Sequence, residues 1–322
     1  MHNRRHFLKQ SSALALGSLV LPRLGSAASF FGQQKSWPIG IQMFTLMRQA
    51  GGDTTELFKS LAAIGFKEIE TSFSPKGPFY GYRPKEFKSF LNGLGLTWRS
   101  HHVPGAPFRP RPAAAPANGN APARVDTSAA RTLRQMPPML NLTANLQQVV
   151  DEAAEGGLPY LVCSSAPVGT LDEIKSTIDV FSRAGEACKK AGIQFAYHNH
   201  ATEFDMVEGK RPYDLIMEGT DKDLVKMELD LAWATKAKQD PVALFRQYPG
   251  RFPLWHVKDI DANREKITEV GNGIVDFKAA FAAANIAGMK HFFYEQDMVQ
   301  SMDSVKTSYN NLVKILGQKA ST

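Results

Sequence analysis

Short runs rich in β-branched and aromatic residues alternate along this chain with amphipathic stretches, and that alternation limits the fold more than any other feature. The runs are Ile39–Phe44, Lys67–Ser72, Leu96–Val103, Leu158–Ser164, Ile193–His198, Val225–Asp230, Phe252–Lys258 and Lys290–Glu295, each of strand length. Between them, Thr54–Ile64, Pro84–Leu94, Leu142–Glu155, Leu171–Ala191 and Val275–Ala284 place apolar residues at helical spacing. Gly65, Gly95, Gly192 and Gly288 stand where helices end before the next strand. Strand followed by helix, repeated, demands parallel neighbours, because each return must cross the sheet. Eight such units predict one (β/α)8 TIM barrel over 37–318. An open doubly wound sheet is the competitor, but no GxGxxG follows Ile39–Phe44.

One segment breaks the rhythm. Residues 104–138 hold eight of the 19 prolines and the run RPRPAAAPANGNAPAR, which cannot build a core. The segment follows the third strand at the end of the barrel where active sites form, so it reads either as a substrate loop carrying Arg109, Arg111, Arg124, Arg131 and Arg134 or as a tolerated insertion.

The net charge of +7 suggests an acidic partner until its location is considered. Arg4, Arg5, Lys9 and Arg23 precede the first acidic residue, Asp53, so a chain starting after residue 28 carries +3. Those arginines belong to a signal-like N-terminus: a basic start, an apolar SSALALGSLVL at 11–21, and small residues at 25–28. Eleven such residues are too few for a spanning helix, which needs about 20. Residues 1–28 are therefore expected to be a processed signal and not a stable membrane anchor. Asn3-Arg4-Arg5-His6-Phe7-Leu8-Lys9 looks like a twin-arginine export signal, which implies bacterial export machinery as a partner and a periplasmic or secreted enzyme. Cys163 and Cys188 read as buried small hydrophobes.

Polar residues at the C-terminal ends of barrel strands face the substrate. The fifth run ends in His198, the sixth in Asp230, the seventh in His256-Val257-Lys258, and the eighth in Glu295. Spacings of 32, 26 and 39 residues put one donor on each of four consecutive strands. Two imidazoles and two carboxylates suit a divalent metal, Mn²⁺ foremost, with Zn²⁺, Fe²⁺ or Co²⁺ as alternatives. Such an ion can polarise a carbonyl bound to it, and a carboxylate can then remove the adjacent carbon-bound proton. Glu295, Lys258 and Glu70 are the candidate catalytic residues. His101, His102 and Trp233 are expected to touch substrate, and His200 and Glu203 to support His198 from behind.

The HNHATEF at His198–Phe204, the block from Leu229 to Asp259 ending in HVKD, and the GNGIVDF at Gly271–Phe277 resemble the xylose isomerase-like TIM-barrel superfamily of sugar isomerases and epimerases. The resemblance implies a metal at His198, Asp230, His256 and Glu295. It also shows a departure: ketose epimerases of this kind carry Glu, a proton-transfer group, where this chain has His198. The leading expectation is thus a metal-dependent sugar isomerase or epimerase working through an enediolate. A lyase or dehydratase on keto-sugars or 3-keto-glycosides is the nearer rival, and a non-catalytic sugar-binding barrel a third reading. Phosphodiester cleavage, which this barrel also supports, calls for a basic DNA-sized surface, so no nucleic-acid partner is expected. Self-association as a homo-oligomer stays open.

Overall fold

The computed structural model describes residues 37–107 and 139–318. The signal-like segment and residues 108–138 of the proline-rich insertion lie outside the described residues. The first strand, β1 (Gly40–Gln42), is shorter than its apolar run predicts. The Gln42 side chain accepts the Phe44 N–H, and the chain turns into a 3-10 segment at Met43–Leu46. The later strands are β2 (Glu68–Thr71), β3 (Thr97–Pro104), β4 (Tyr160–Ser165), β5 (Gln194–His198), β6 (Val225–Asp230), β7 (Leu254–Val257) and β8 (His291–Tyr294). All pair in parallel with their chain neighbours, and β8 closes onto β1 with Gly40 opposite Phe293. The closed eight-stranded barrel is the architecture that the alternation predicts. Closure also removes the exposed edges that an open sheet would have to protect.

Helices α1 (Thr54–Ile64), α2 (Pro84–Gly93), α3 (Leu142–Glu155) and α4 (Leu171–Lys190) follow the first four strands of the expected pattern. Their starts are marked by side chains that satisfy free backbone N–H groups: Asp53 accepts from Glu56, Asn141 from Ala144 and Thr170 from Glu173. On α4, Ile174, Phe181, Ala184 and Cys188 face the barrel. Both cysteines are free and buried, and burial pushes their thiols upward, which keeps them as neutral packing groups. The chain continues through α5 (Pro212–Gly219), α6 (Leu231–Lys236), α7 (Pro241–Gln247), α8 (Phe277–Ala282), α9 (Ala284–Ala287) and α10 (Met302–Ile315). The helix expected over Val275–Ala284 is split: α8 begins behind the Asp276 cap, and Ala283 separates it from α9. Gly288 then takes the left-handed conformation that turns the chain into β8.

Inside the barrel the side chains form tiers. At the N-terminal end, Glu68 accepts from Arg99 Nε at 2.7 Å and pairs with His291 Nδ1 at 2.8 Å. Above them, Val162, Ala196, Leu254 and Phe293 pack into a separate apolar cluster. The polar groups of the candidate site lie over that cluster at the C-terminal ends of the strands.

The Gly271-Asn272-Gly273 turn is shaped from within the fold. Asp259 accepts the N–H groups of Gly271, Gly273 and Val275 at 2.9, 2.9 and 3.1 Å, so the turn's amides already hold an internal carboxylate. A Cβ at position 273 would collide with the Ile260 carbonyl and the Asp259 carboxylate, which accounts for glycine there.

Candidate active site

Period-two alternation aims Glu228 and Asp230 of β6 into the barrel together, with His198 opposite Glu228 and His256 opposite Asp230 in the strand register. His256 is fully buried and lies at the centre. Its Nδ1 is 3.0 Å from Glu295 Oε2 and 3.9 Å from Asp230 Oδ2. Its Nε2 is 2.6 Å from Glu70 Oε1 and 3.1 Å from Glu228 Oε2. The His198 ring packs with its centroid 4.4 Å from that of His256.

The structure therefore brings together His198, Asp230, His256 and Glu295, with one donor atom from each within 4.8 Å of the others. His102, His198, Glu228 and His256 satisfy the same criterion one tier deeper. His198 Nδ1 and Asp230 Oδ2 are buried without a hydrogen-bond partner, a costly state for polar atoms away from water. His198 Nδ1 does lie 3.3 Å from Glu228 Oε2, within ion-pair reach but not aligned for a hydrogen bond. Lys258 Nζ supplies a positive charge beside Glu295 at 3.0 Å, Asp297 at 2.5 Å and Asp230 at 3.8 Å. Around Lys258, His256 and His102 stand five carboxylates, Glu70, Glu228, Asp230, Glu295 and Asp297, so even with all three cations charged the acidic groups outnumber them. Like charges about 4 Å apart repel by about 4 kcal/mol at an effective dielectric near 20. A divalent cation fits this set: it offsets the excess charge, gives the two unpartnered atoms a partner, and matches the mixture of nitrogen and carboxylate donors.

The protonation states follow from the same contacts. Burial raises the Asp230 carboxyl, and Lys258 and His256 only partly oppose it, so it is pushed up to about 7. Burial disfavours charge on His256, but Glu228 and Glu295 outweigh it and hold the imidazolium well above its ordinary range. Burial also works against the Glu295 carboxylate, yet Lys258 and His256 prevail and hold its carboxyl below the usual range. A metal ion entering at neutral pH must therefore displace protons from His256 and, below about pH 7, from Asp230 as well. Affinity is expected to strengthen as pH rises through this range, with each displaced proton worth on the order of tenfold per pH unit. Calorimetric titration of Mn²⁺ in two buffers of different ionisation enthalpy reads both the affinity and the protons released. A flat affinity from about pH 6 to pH 7.5 would contradict this proton balance.

A cavity of about 600 Å³ opens above the cluster. Its lining includes Glu295 and Asp297, both paired with Lys258, together with His102, His198 and His200. Phe44, Phe73 and Trp233 supply apolar surface, and Lys258 Nζ lies 4.8 Å from the centre of the Trp233 ring. His102 is the inward member of its pair. His101 turns to the other face, where its Nδ1 lies 2.9 Å from Thr71 Oγ1, and burial together with the neighbouring His102 lowers it to about 3.

Besides that of His101, which is expected from the sequence to touch substrate but faces away from this cavity, two expected roles need correction. Glu70 does not line the cavity: it is fully buried, accepts from Gln42 and Ser100, and pairs with His256, so it cannot receive a proton or hydroxyl from substrate directly. Glu203 does not reach His198, because it accepts from the Tyr197 hydroxyl at 2.6 Å and the His200 N–H at 3.0 Å and so braces the turn after β5. His200 is nearer the expected position, its ring centroid 5.0 Å from that of His198.

The sequence profile of the xylose isomerase-like TIM barrel family matches residues 58–297. The chain belongs to this family. Similar solved structures include a sugar phosphate isomerase/epimerase from Parabacteroides distasonis ATCC 8503, 25% identical, covering 91% of this chain and 98% of that one with a TM-score of 0.65. An L-ribulose 3-epimerase, 17% identical with a TM-score of 0.55 and covering 89% of each chain, shares the fold. Among curated relatives, the inosose dehydratase of Geobacillus kaustophilus (strain HTA426) is 32% identical over 130 residues, 35% of this chain and 42% of that protein. The inosose dehydratase of Lacticaseibacillus casei is 26% identical over 153 residues, 42% of this chain and 51% of that protein. The chain thus spans about half the length of the curated relatives it matches, or less.

Two residues that the sequence pattern did not single out lie in contact with this cluster. Glu228 shares a face with Asp230, and the alternation of β6 was sufficient to find it. Asp297 follows β8 in an irregular turn, where no periodicity points to it, and binds Lys258.

Proposed function

We propose that this chain is a metal-dependent lyase of the dehydratase type, acting on a cyclic keto-sugar or keto-polyol. The observation that carries this reading is what meets at one cavity among the described residues: the carboxylate of Glu295, able to act as a base, and the imidazoles of His102, His198 and His200, able to donate a proton, above a cluster of metal-type donors. A divalent cation held by His198, Asp230, His256 and Glu295 would polarise the substrate carbonyl. Glu295 takes the proton from the carbon beside that carbonyl, with Lys258 positioned at the developing negative charge. The bond from the next carbon to its hydroxyl then breaks, and the oxygen leaves as water with a proton from an imidazole N–H of the cavity lining. The products are an unsaturated ketone and water. Trp233, Phe44 and Phe73 present apolar faces to the carbon side of the ring. The inosose dehydratase relatives agree with this outcome.

Isomerisation or epimerisation is the second reading, favoured by the solved sugar phosphate isomerase/epimerase at 25% identity. It shares the first proton transfer and differs in returning the proton to carbon. Incubation with an inosose and with 3-keto-glycosides in D₂O, with Mn²⁺ and with chelator, separates the two. Loss of water and growth of enone absorbance indicate the lyase, whereas deuterated isomers without loss of water indicate the isomerase. The absence of metal-dependent turnover on either substrate class contradicts both.

We also propose that the protein is exported through the twin-arginine route, on the basis of Arg4 and Arg5. Replacing both with Lys is expected to leave the protein in the cytoplasmic fraction. Unchanged export of that variant contradicts this route.

A further inference from the structure

Behind the candidate ligand His256 lies a closed arrangement of buried groups whose two carboxylates, Glu70 and Glu228, the proposed reaction does not use. Two carboxylates and two imidazoles alternate in it. His102 Nε2 is 2.6 Å from Glu228 and 3.1 Å from Glu70, and His256 Nε2 is 2.6 Å from Glu70 and 3.1 Å from Glu228. The two rings lie nearly parallel, 7° apart. Separations of 2.6 Å between nitrogen and carboxylate oxygen are those of short charge-assisted hydrogen bonds.

We infer that Glu70 and Glu228 are positioning residues that hold the proton of His256 on Nε2 and thereby reserve Nδ1 for the metal. The inference rests on the metal reading above but concerns residues outside the ligand set. An imidazole has two nitrogens, and a hydrogen bond made by one decides which form the other takes. Here Nε2 faces the two carboxylates, while Nδ1 faces Glu295 and Asp230.

Glu70 is fixed for this task. Gln42 Nε2 donates to its Oε1 at 2.7 Å, and Ser100 Oγ donates to its Oε2. Gln42 is held in turn by the Phe44 N–H, which its Oε1 accepts at 3.0 Å. The 3-10 turn after β1 is thereby connected to the orientation of a ring on β7. Glu70 is the stronger acceptor for His256, and Glu228 the stronger for His102, so the two carboxylates divide the imidazoles between them.

The test compares Glu70→Gln and Glu228→Gln with Glu68→Gln. Glu68 is just as buried and also ion-paired, but it lies at the far end of the barrel, so its variant reports what losing a buried carboxylate does to folding alone. Zn²⁺ affinity by competition with a chromophoric chelator, metal content, and thermal unfolding in chelator are measured for all three. The expected result is one ion per chain in the wild type, about 10- to 100-fold weaker binding in Glu70→Gln, a smaller loss in Glu228→Gln, and unchanged affinity in Glu68→Gln. Long-range ¹H–¹⁵N spectra of the zinc-loaded wild type should show the His256 proton on Nε2, and its resonance should move in Glu70→Gln. Equal affinity in Glu70→Gln and wild type overturns the inference, as does a proton on Nδ1 or a second bound ion that disappears in Glu228→Gln. A wild type that binds no metal overturns the metal reading itself, and this inference with it.

Discussion

His256→Ala is expected to strip the protein of its metal. The substitution removes the Nδ1 donor between Glu295 and Asp230 and also the Nε2 partner of Glu70 and Glu228. Loss of a supporting group one bond beyond a ligand already weakens metal binding by about 10- to 100-fold, so loss of the ligand itself should exceed about 100-fold. Purified His256→Ala should contain almost no ion by elemental analysis, and metal-dependent turnover should vanish with it. Breaking a buried ion pair also destabilises a fold by about 3–5 kcal/mol, so thermal unfolding in chelator must accompany the measurement. His256→Asn, shorter but able to keep a donor near the carboxylates, separates loss of metal from loss of fold. Full metal content in folded His256→Ala or His256→Asn places the ion elsewhere.

Glu295→Gln is expected to preserve the shape of the cavity while removing the base. The amide oxygen can still approach Lys258 and a metal ion, but it cannot take a proton. Positioned general bases contribute about 10²- to 10⁴-fold, and the loss should fall on kcat more than on KM because the apolar walls and His102 still bind substrate. The decisive readout is wash-in of deuterium beside the substrate carbonyl, followed by NMR. Exchange within about tenfold of wild type in Glu295→Gln would transfer the role to Asp297, the other carboxylate that lines the cavity among the described residues.

The barrel was legible because strand and helix periods differ, and because the repeated βα unit puts tip residues at equivalent heights. His198, Asp230, His256 and Glu295 stood out for that reason: polar residues closing apolar runs, one per unit. What sequence obscured was depth. Glu70 also closes an apolar run, but the irregular register between Ile69 and Glu70 and the donors from Gln42 and Ser100 bury it below the cavity. Glu203 stands five residues after His198, yet the turn between them sends its carboxylate to the outward-facing Tyr197. The short β1 has a similar cause: a single side-chain contact from Gln42 to the Phe44 backbone ends a run whose composition would have continued as strand.

The apolar cluster of Val162, Ala196, Leu254 and Phe293 separates the polar tier at the foot of the barrel from the polar tier at its head. In electrical terms it is an insulator inside the barrel. Among the described residues, a proton lifted from substrate meets four hydrocarbon side chains below the site, while the cavity above is where substrate itself sits. The label on a captured proton should survive longer the more completely the substrate fills that cavity.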